Sequence, residues 1–101
     1  MKIAIIGAGC SGLSAIKQLT SLGLTDITCF ERGDQVGGNW IYSEAPGHSS
    51  IYKAAHTISS KSMSQFGDFP MPIDYPDYPS HEQILAYFQA YARHFQLEKF
   101  I

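Results

Sequence analysis

The stretch Lys2-Ile3-Ala4-Ile5-Ile6-Gly7-Ala8-Gly9-Cys10-Ser11-Gly12 runs directly into Leu13-Ser14-Ala15-Ile16-Lys17-Gln18-Leu19-Thr20-Ser21-Leu22. The isoleucine-rich opening suits a strand buried on both faces of a parallel sheet. Three glycines follow at G-x-G-x-x-G spacing, then a helical pattern in which Leu13, Ile16, Leu19 and Leu22 share the face toward the sheet. The three glycines serve different ends. Gly7 permits the tight turn out of the strand, Gly9 lets a phosphate reach the backbone, and Gly12 lets the helix lie close to the strand. The helix N-terminus then offers N–H groups and the positive end of its dipole to a pyrophosphate.

Working outward, Gly23 stands where the helix should stop in a left-handed residue. Ile27-Thr28-Cys29-Phe30 reads as a second strand, parallel to the first in a right-handed βαβ unit. Glu31 closes that strand, 19 positions after Gly12. A carboxylate there can accept hydrogen bonds from both ribose hydroxyls of an adenine dinucleotide. The competing reading is a strand–turn–helix whose glycines serve packing alone, with Glu31 a solvated charge. The combination of strand, glycine loop, helix and acid favours dinucleotide binding.

Gly37-Gly38 points to a second close backbone approach, on the side where a longer cofactor would run past its pyrophosphate; a plain turn with Trp40 as core anchor is the alternative. Arg32 is placed to lie over an adenine or to pair with a phosphate. Residues 43–80 hold all five prolines (Pro46, Pro70, Pro72, Pro76 and Pro79) together with Phe66, Phe69, Tyr75 and Tyr78. That mixture forbids long regular elements and argues for an ordered irregular segment that covers a surface. Ser80 and Gln83 form an S-x-x-Q capping box. Ile84, Phe88, Tyr91 and Phe95, widened by Leu85 and Ala92, mark an amphipathic helix to about Gln96, with Arg93 and His94 near its negative end. Leu97 to Ile101 reads as the lead into a further strand.

The chain has 101 residues, so it makes one domain at most. A net charge of −2, with its seven basic residues scattered, gives no electrostatic footprint for nucleic acid or an anionic membrane. No apolar run approaches the ~20 residues of a membrane span, and the N-terminus leaves no room for a secretion signal. Two cysteines suggest no disulfide framework and fit a reducing, cytoplasmic setting. Cys10 at the helix N-terminus invites a reactive-thiol reading, against the blander one of a small residue in a variable loop slot; Cys29 reads as inert core. The four histidines (His48, His56, His81 and His94) have no metal-ligand spacing, and Gly9-Cys10-Ser11-Gly12 is not a nucleophile elbow. The fold class is therefore α/β. A Rossmann-like βαβ start is followed by a Pro/aromatic-rich irregular segment and an amphipathic helix, and two parallel strands leave such a sheet incomplete.

Gly7 to Gly12, Cys29-Phe30-Glu31-Arg32 and Gly37-Gly38-Asn39-Trp40 resemble the flavin-containing monooxygenases. So do Ser50-Ile51-Tyr52-Lys53, Ser59-Ser60-Lys61-Ser62-Met63 and Asp68-Phe69-Pro70-Met71-Pro72. The first two blocks are shared with many FAD enzymes, and the later ones are narrower. The resemblance implies that residues 1–101 are the N-terminal part of a single FAD-binding domain. It implies a parent enzyme that takes hydride from NADPH and passes one oxygen of O2 through a flavin C4a-hydroperoxide to an amine or sulfide. By matching position, the pyrophosphate would lie on Gly7, Ala8, Gly9, Cys10, Ser11 and Gly12. The ribose would lie on Glu31, with Arg32 beside it, and the region toward the flavin ring on Gly38, Asn39 and Trp40. The NADPH motif would fall beyond residue 101. The family's usual asparagine after His56-Thr57 is here Ile58, which cannot donate a hydrogen bond, so the catalytic residues stay unassigned: either the oxygenated intermediate is held less well or His56, Thr57 or Ser59 substitutes, and Thr57 and Ser59 are counted with the cofactor-binding residues. The resemblance implies a small-molecule substrate and O2 as partners of the full-length enzyme and leaves a homo-oligomer open. Two other readings stand beside it: an FAD-dependent reductase or oxidase of another class, or a truncated, non-catalytic dinucleotide-binding module.

Overall fold

A computed structural model describes residues 1–44 and 50–101. Pro46 and His48, named above, lie outside the described residues. The chain forms two compact units, one of Met1–Gly38 with Phe88–Ile101 and the other Asn39–Tyr87.

In the first unit, β1 (Ile3–Ile6) and β2 (Ile27–Phe30) pair in parallel, Ile3 opposite Ile27 and Ile6 opposite Phe30. Between them runs α1 (Cys10–Ser21), which buries Leu13 and Ile16. The burial of both faces that the isoleucine run suits is not found, and the sheet instead shows the exposed apolar face expected of an incomplete one. Ile27 and Cys29 are buried, whereas Ala4, Thr28, Ile6 (83% exposed) and Phe30 (57%) face outward. Side chains alternate along a strand, and α1 packs on one side of the sheet, as the approach of Gly12 to Ile5 shows. Leu22 also departs from the sequence reading. It is 76% exposed because the helix closes at Ser21 and Leu22 is its cap, with Gly23 following at φ +85°.

The helix foreseen from the capping box is α3 (His81–His94), which contributes residues to both units. The box closes in both directions: Ser80 N–H donates to Gln83 Oε1 (2.9 Å), and Gln83 N–H to Ser80 Oγ (3.3 Å). Ile84, Phe88, Tyr91 and Ala92 are buried, and Arg93 and His94 occupy the last turn. The helix stops before Gln96 because that residue is left-handed (φ 57°), and Leu97 N–H returns to the Ala92 carbonyl (2.8 Å). Glu98–Phe100 then form a single 3-10 turn against β2 rather than entering a strand. Ser80→Ala removes the acceptor of one orphan helix N–H. Its expected cost is about 1 kcal/mol, read as a fall of roughly 4–8 °C in the thermal midpoint; an unchanged midpoint would leave the box without energetic weight.

The second unit is irregular, as the prolines foretold. Besides the first part of α3 and a 3-10 turn at Gly38–Trp40, its regular pieces among the described residues are the short α2 (Lys61–Ser64) and single antiparallel bridges, His56 with Ser80 and Phe66 with Phe69. Tyr87 orders one side: its hydroxyl accepts Phe66 N–H (2.8 Å) and donates to the Phe69 carbonyl (2.5 Å). Lys61 orders another, its ammonium donating to the carbonyls of Ile73 (3.1 Å) and Tyr75 (2.7 Å). Tyr87 was missed by the sequence reading, although it lies three residues after Ile84 and four before Tyr91, on the same helical stripe.

Candidate dinucleotide site

The turn from β1 into α1 carries the predicted glycines, and the structure shows what each one does. Gly7 has φ +94°, a conformation that L side chains rarely adopt. A Cβ on Gly12 would stand 2.0 Å from the Gly7 carbonyl oxygen, which no real contact tolerates, so the start of α1 is packed directly onto the loop. Gly9 meets the second glycine pair: a Cβ on Gly38 would lie 3.1 Å from Gly9 Cα. The close approach foreseen for Gly37-Gly38 is thus a docking of backbone on the glycine loop.

Ala8, fully buried, is the hub of the loop. Its N–H donates to Glu31 Oε1 (2.8 Å), and its carbonyl accepts Gly37 N–H (3.0 Å). The other oxygen of Glu31 accepts Gly33 N–H (2.7 Å). The carboxylate ending β2 is therefore turned toward the loop opening α1. Neither the Ala8 nor the Gly33 bond was legible beforehand.

The mouth of α1 suits an anion. Gly9 is its N-cap with no side-chain capping bond, its first turn holds no acidic residue, and Ser11 is exposed. Cys10 is also exposed, yet partial desolvation of its sulfur pushes the thiol above its ordinary range, which opposes the reactive-thiolate reading. Cys29 is buried, and desolvation together with the nearby charge of Glu31 raises its thiol too, as expected of an inert core residue. Arg32 is exposed beside this group. Beyond Glu31 an open groove of about 680 Å³ runs along β2 toward Arg93 and Glu98, which the sequence reading did not foresee.

The structure thus brings Gly7, Ala8, Gly9, Cys10, Ser11, Gly12, Glu31 and Gly38 together within the first unit. Asn39, Trp40, Thr57 and Ser59 belong to the second. There Asn39 carbonyl accepts Ile51 N–H (2.7 Å), and Trp40 is half-buried. Thr57 Oγ1 donates to the Ser59 carbonyl (2.9 Å), and Ser59 Oγ lies 2.6 Å from Ser64 Oγ. Ile58 between them is 100% exposed, and His56 Nδ1 lies 2.8 Å from the Tyr78 carbonyl.

A parallel strand pair joined by a helix, a glycine loop at that helix's mouth, and an acid from the second strand turned onto the loop are the features of the dinucleotide-binding class of α/β folds. The comparisons narrow the class. The chain belongs to the flavin-binding monooxygenase-like family, whose model matches residues 1–101. It is 47% identical over 102 residues to flavin-containing monooxygenase 1 of Homo sapiens, covering 99% of this chain and 19% of that protein. Among solved structures it resembles S-allyl-L-cysteine S-oxygenase from Allium sativum, with TM-score 0.86, 31% identity, and 99% and 27% of the two chains covered. It also resembles an oxidised steroid monooxygenase bound to NADP, with TM-score 0.75, 29% identity, and 99% and 18% covered. The chain therefore spans about a fifth of the length of the curated relative. No helix among the described residues is long and apolar enough to cross a membrane.

Proposed function

We propose that this chain is the FAD-binding portion of an NADPH-dependent flavoprotein monooxygenase, one that places a single oxygen atom from O2 on a soft nucleophile such as an amine or sulfide. The observation that carries the reading is the pair of bonds holding Glu31 and Gly37 to Ala8, which turns the Glu31 carboxylate toward the loop that opens α1. Gly7 to Gly12 would hold the diphosphate through backbone N–H groups and the α1 dipole. Glu31 would take the ribose hydroxyls, with Arg32 beside it. Gly38 keeps the loop narrow, and Asn39, Trp40, Thr57 and Ser59 would line the way toward the flavin ring. Bound FAD would supply electron transfer from the nicotinamide and activation of O2. The chain's own contribution is position and charge. Ile58 stands where the family pattern has asparagine and cannot donate a hydrogen bond, so that role would fall to His56, Thr57 or Ser59. A reducing, cytoplasmic setting agrees with Cys10 and Cys29 both being free thiols.

Residues 1–101 are read as the N-terminal part of one FAD-binding domain, so the chain alone should bind the nucleotide without turnover. In a titration with FAD followed by amide NMR, the resonances of Gly9 to Gly12 and Gly33 should shift, and the same shifts should follow ADP. NADPH should remain unoxidised over the titrated chain. Unmoved glycine-loop amides at millimolar FAD would overturn the cofactor assignment.

A further inference from the structure

Ser50, in the second unit, gathers the chain that leaves the 3-10 turn at Gly38–Trp40. Its Oγ accepts Ser43 N–H (2.9 Å) and lies 2.9 Å from the Ile51 carbonyl and 3.2 Å from that of Ile41. A hydroxyl carries one proton, so it donates to one of these carbonyls at a time while a lone pair takes the amide. The next residue continues the tie, Ile51 N–H donating to the Asn39 carbonyl (2.7 Å). Residues 39, 41 and 43 are thus all held by the pair Ser50-Ile51. Within this segment Ile41 is buried, whereas Asn39 is exposed and Trp40 half-buried. The backbone is anchored and the two side chains before the anchor stay accessible.

We propose that Ser50 is a positioning residue for the flavin end of the cofactor, acting through Asn39 and Trp40 and not by contact. The proposal rests on the reading of this chain as an FAD-binding portion, in which Asn39 and Trp40 lie toward the flavin ring. A single 3-10 turn has few bonds of its own and poor hydrogen-bond geometry, so its orientation is set by what holds the residues around it. Here Ser50 supplies the hold from one atom. Without the hydroxyl, the Ser43 amide loses this acceptor and the Ile41 carbonyl this donor. The turn then gains freedom that a bound flavin must remove, and that cost falls on affinity. The loss is local. The diphosphate and ribose contacts of the glycine loop and Glu31 do not pass through Ser50, so a ligand that ends at the diphosphate should not feel it.

The test uses the full 101-residue chain, in which Trp40 is the single tryptophan. Ser50→Ala should move Trp40 emission to longer wavelength before any ligand is added. It should weaken FAD about tenfold and leave ADP, which lacks the flavin, within about twofold of the parent. Ser50→Thr, which keeps the hydroxyl, should restore both readings. Where Ser50→Ala fails to fold, Ser50→Cys, with a weaker hydrogen-bonding group, should give the same selective loss at smaller size. Tyr75→Phe removes another hydroxyl of the second unit, the donor to the Gln83 carbonyl (3.0 Å), and should change neither Trp40 emission nor the ratio of FAD to ADP affinity. Equal losses of FAD and ADP in Ser50→Ala, an unmoved Trp40, or the same selective loss in Tyr75→Phe would overturn the positioning role. So would a Ser50→Thr chain as weak as Ser50→Ala. A parent chain that binds neither nucleotide would overturn the cofactor reading and this inference with it, whereas a parent that binds both, with an unchanged ratio in Ser50→Ala, would overturn this inference alone.

Discussion

Gly12→Ala should destabilise the chain by about 3 kcal/mol, although the position is helical and alanine is the better helix former by up to ~1 kcal/mol. The two effects have opposite signs, and the geometry decides between them. A Cβ at residue 12 would lie 2.0 Å from the Gly7 carbonyl oxygen and 3.0 Å from its carbon. That neighbour is backbone, so no rotamer change relieves the overlap, and either the helix start or the Gly7 turn must move. The contrast is Gly23→Ala, where nothing lies within 4 Å and only the left-handed φ of +85° resists the change. That substitution should cost about 1–2 kcal/mol. Urea unfolding of both variants checks the order. A Gly12→Ala chain as stable as the parent would mean that α1 is not packed on the loop as described.

Glu31→Ala should act on stability and on nucleotide affinity together. It strips the acceptor from Ala8 N–H, a group on a fully buried residue, at a cost of about 1–3 kcal/mol. Gly33 N–H, on an exposed residue, is returned to water at little cost. For the proposed ribose contacts, losing a charged acceptor should weaken FAD roughly 100-fold, at about 1.5–3 kcal/mol per hydrogen bond to a charged group. Glu31→Gln separates shape from charge. An amide supplies one oxygen where two N–H donors now meet two oxygens, so one donor would face the NH2 group. Its stability and affinity should fall between those of the parent and Glu31→Ala. Calorimetric FAD titration alongside urea unfolding measures both arms. Full affinity in Glu31→Ala would remove the carboxylate from the nucleotide site while leaving the packing argument for Gly12 untouched.

What could be read from the sequence was whatever local sterics or local hydrogen bonding writes into residue type. Gly7, Gly12 and Gly23 were legible because a backbone conformation or a close approach requires glycine there. The Ser80–Gln83 box was legible because both partners lie within one turn. The strands were legible in position but not in burial, since the exposure of Ile6 and Phe30 depends on which face a helix covers. Leu22 kept the apolar period of α1 yet fell on its cap. The turn at Glu98–Phe100 follows from Gln96, a non-glycine residue that takes a left-handed conformation. No sequence pattern announced it. The bond between Glu31 and Ala8 spans 23 positions, and residue type alone does not reveal such a pairing.

Both backbone groups of Ala8 are committed to one short excursion of the chain, its N–H to the side chain of residue 31 and its carbonyl to the amide of residue 37. That excursion is consequently a closed clasp of fixed reach, anchored twice on the same peptide. Its side chains are free to vary where they face water, but its length is not. One residue inserted or deleted between Arg32 and Val36 would pull Gly38 off Gly9 or unhook the acid, so length variation in relatives of this chain should skip these positions and gather in the irregular segment that follows.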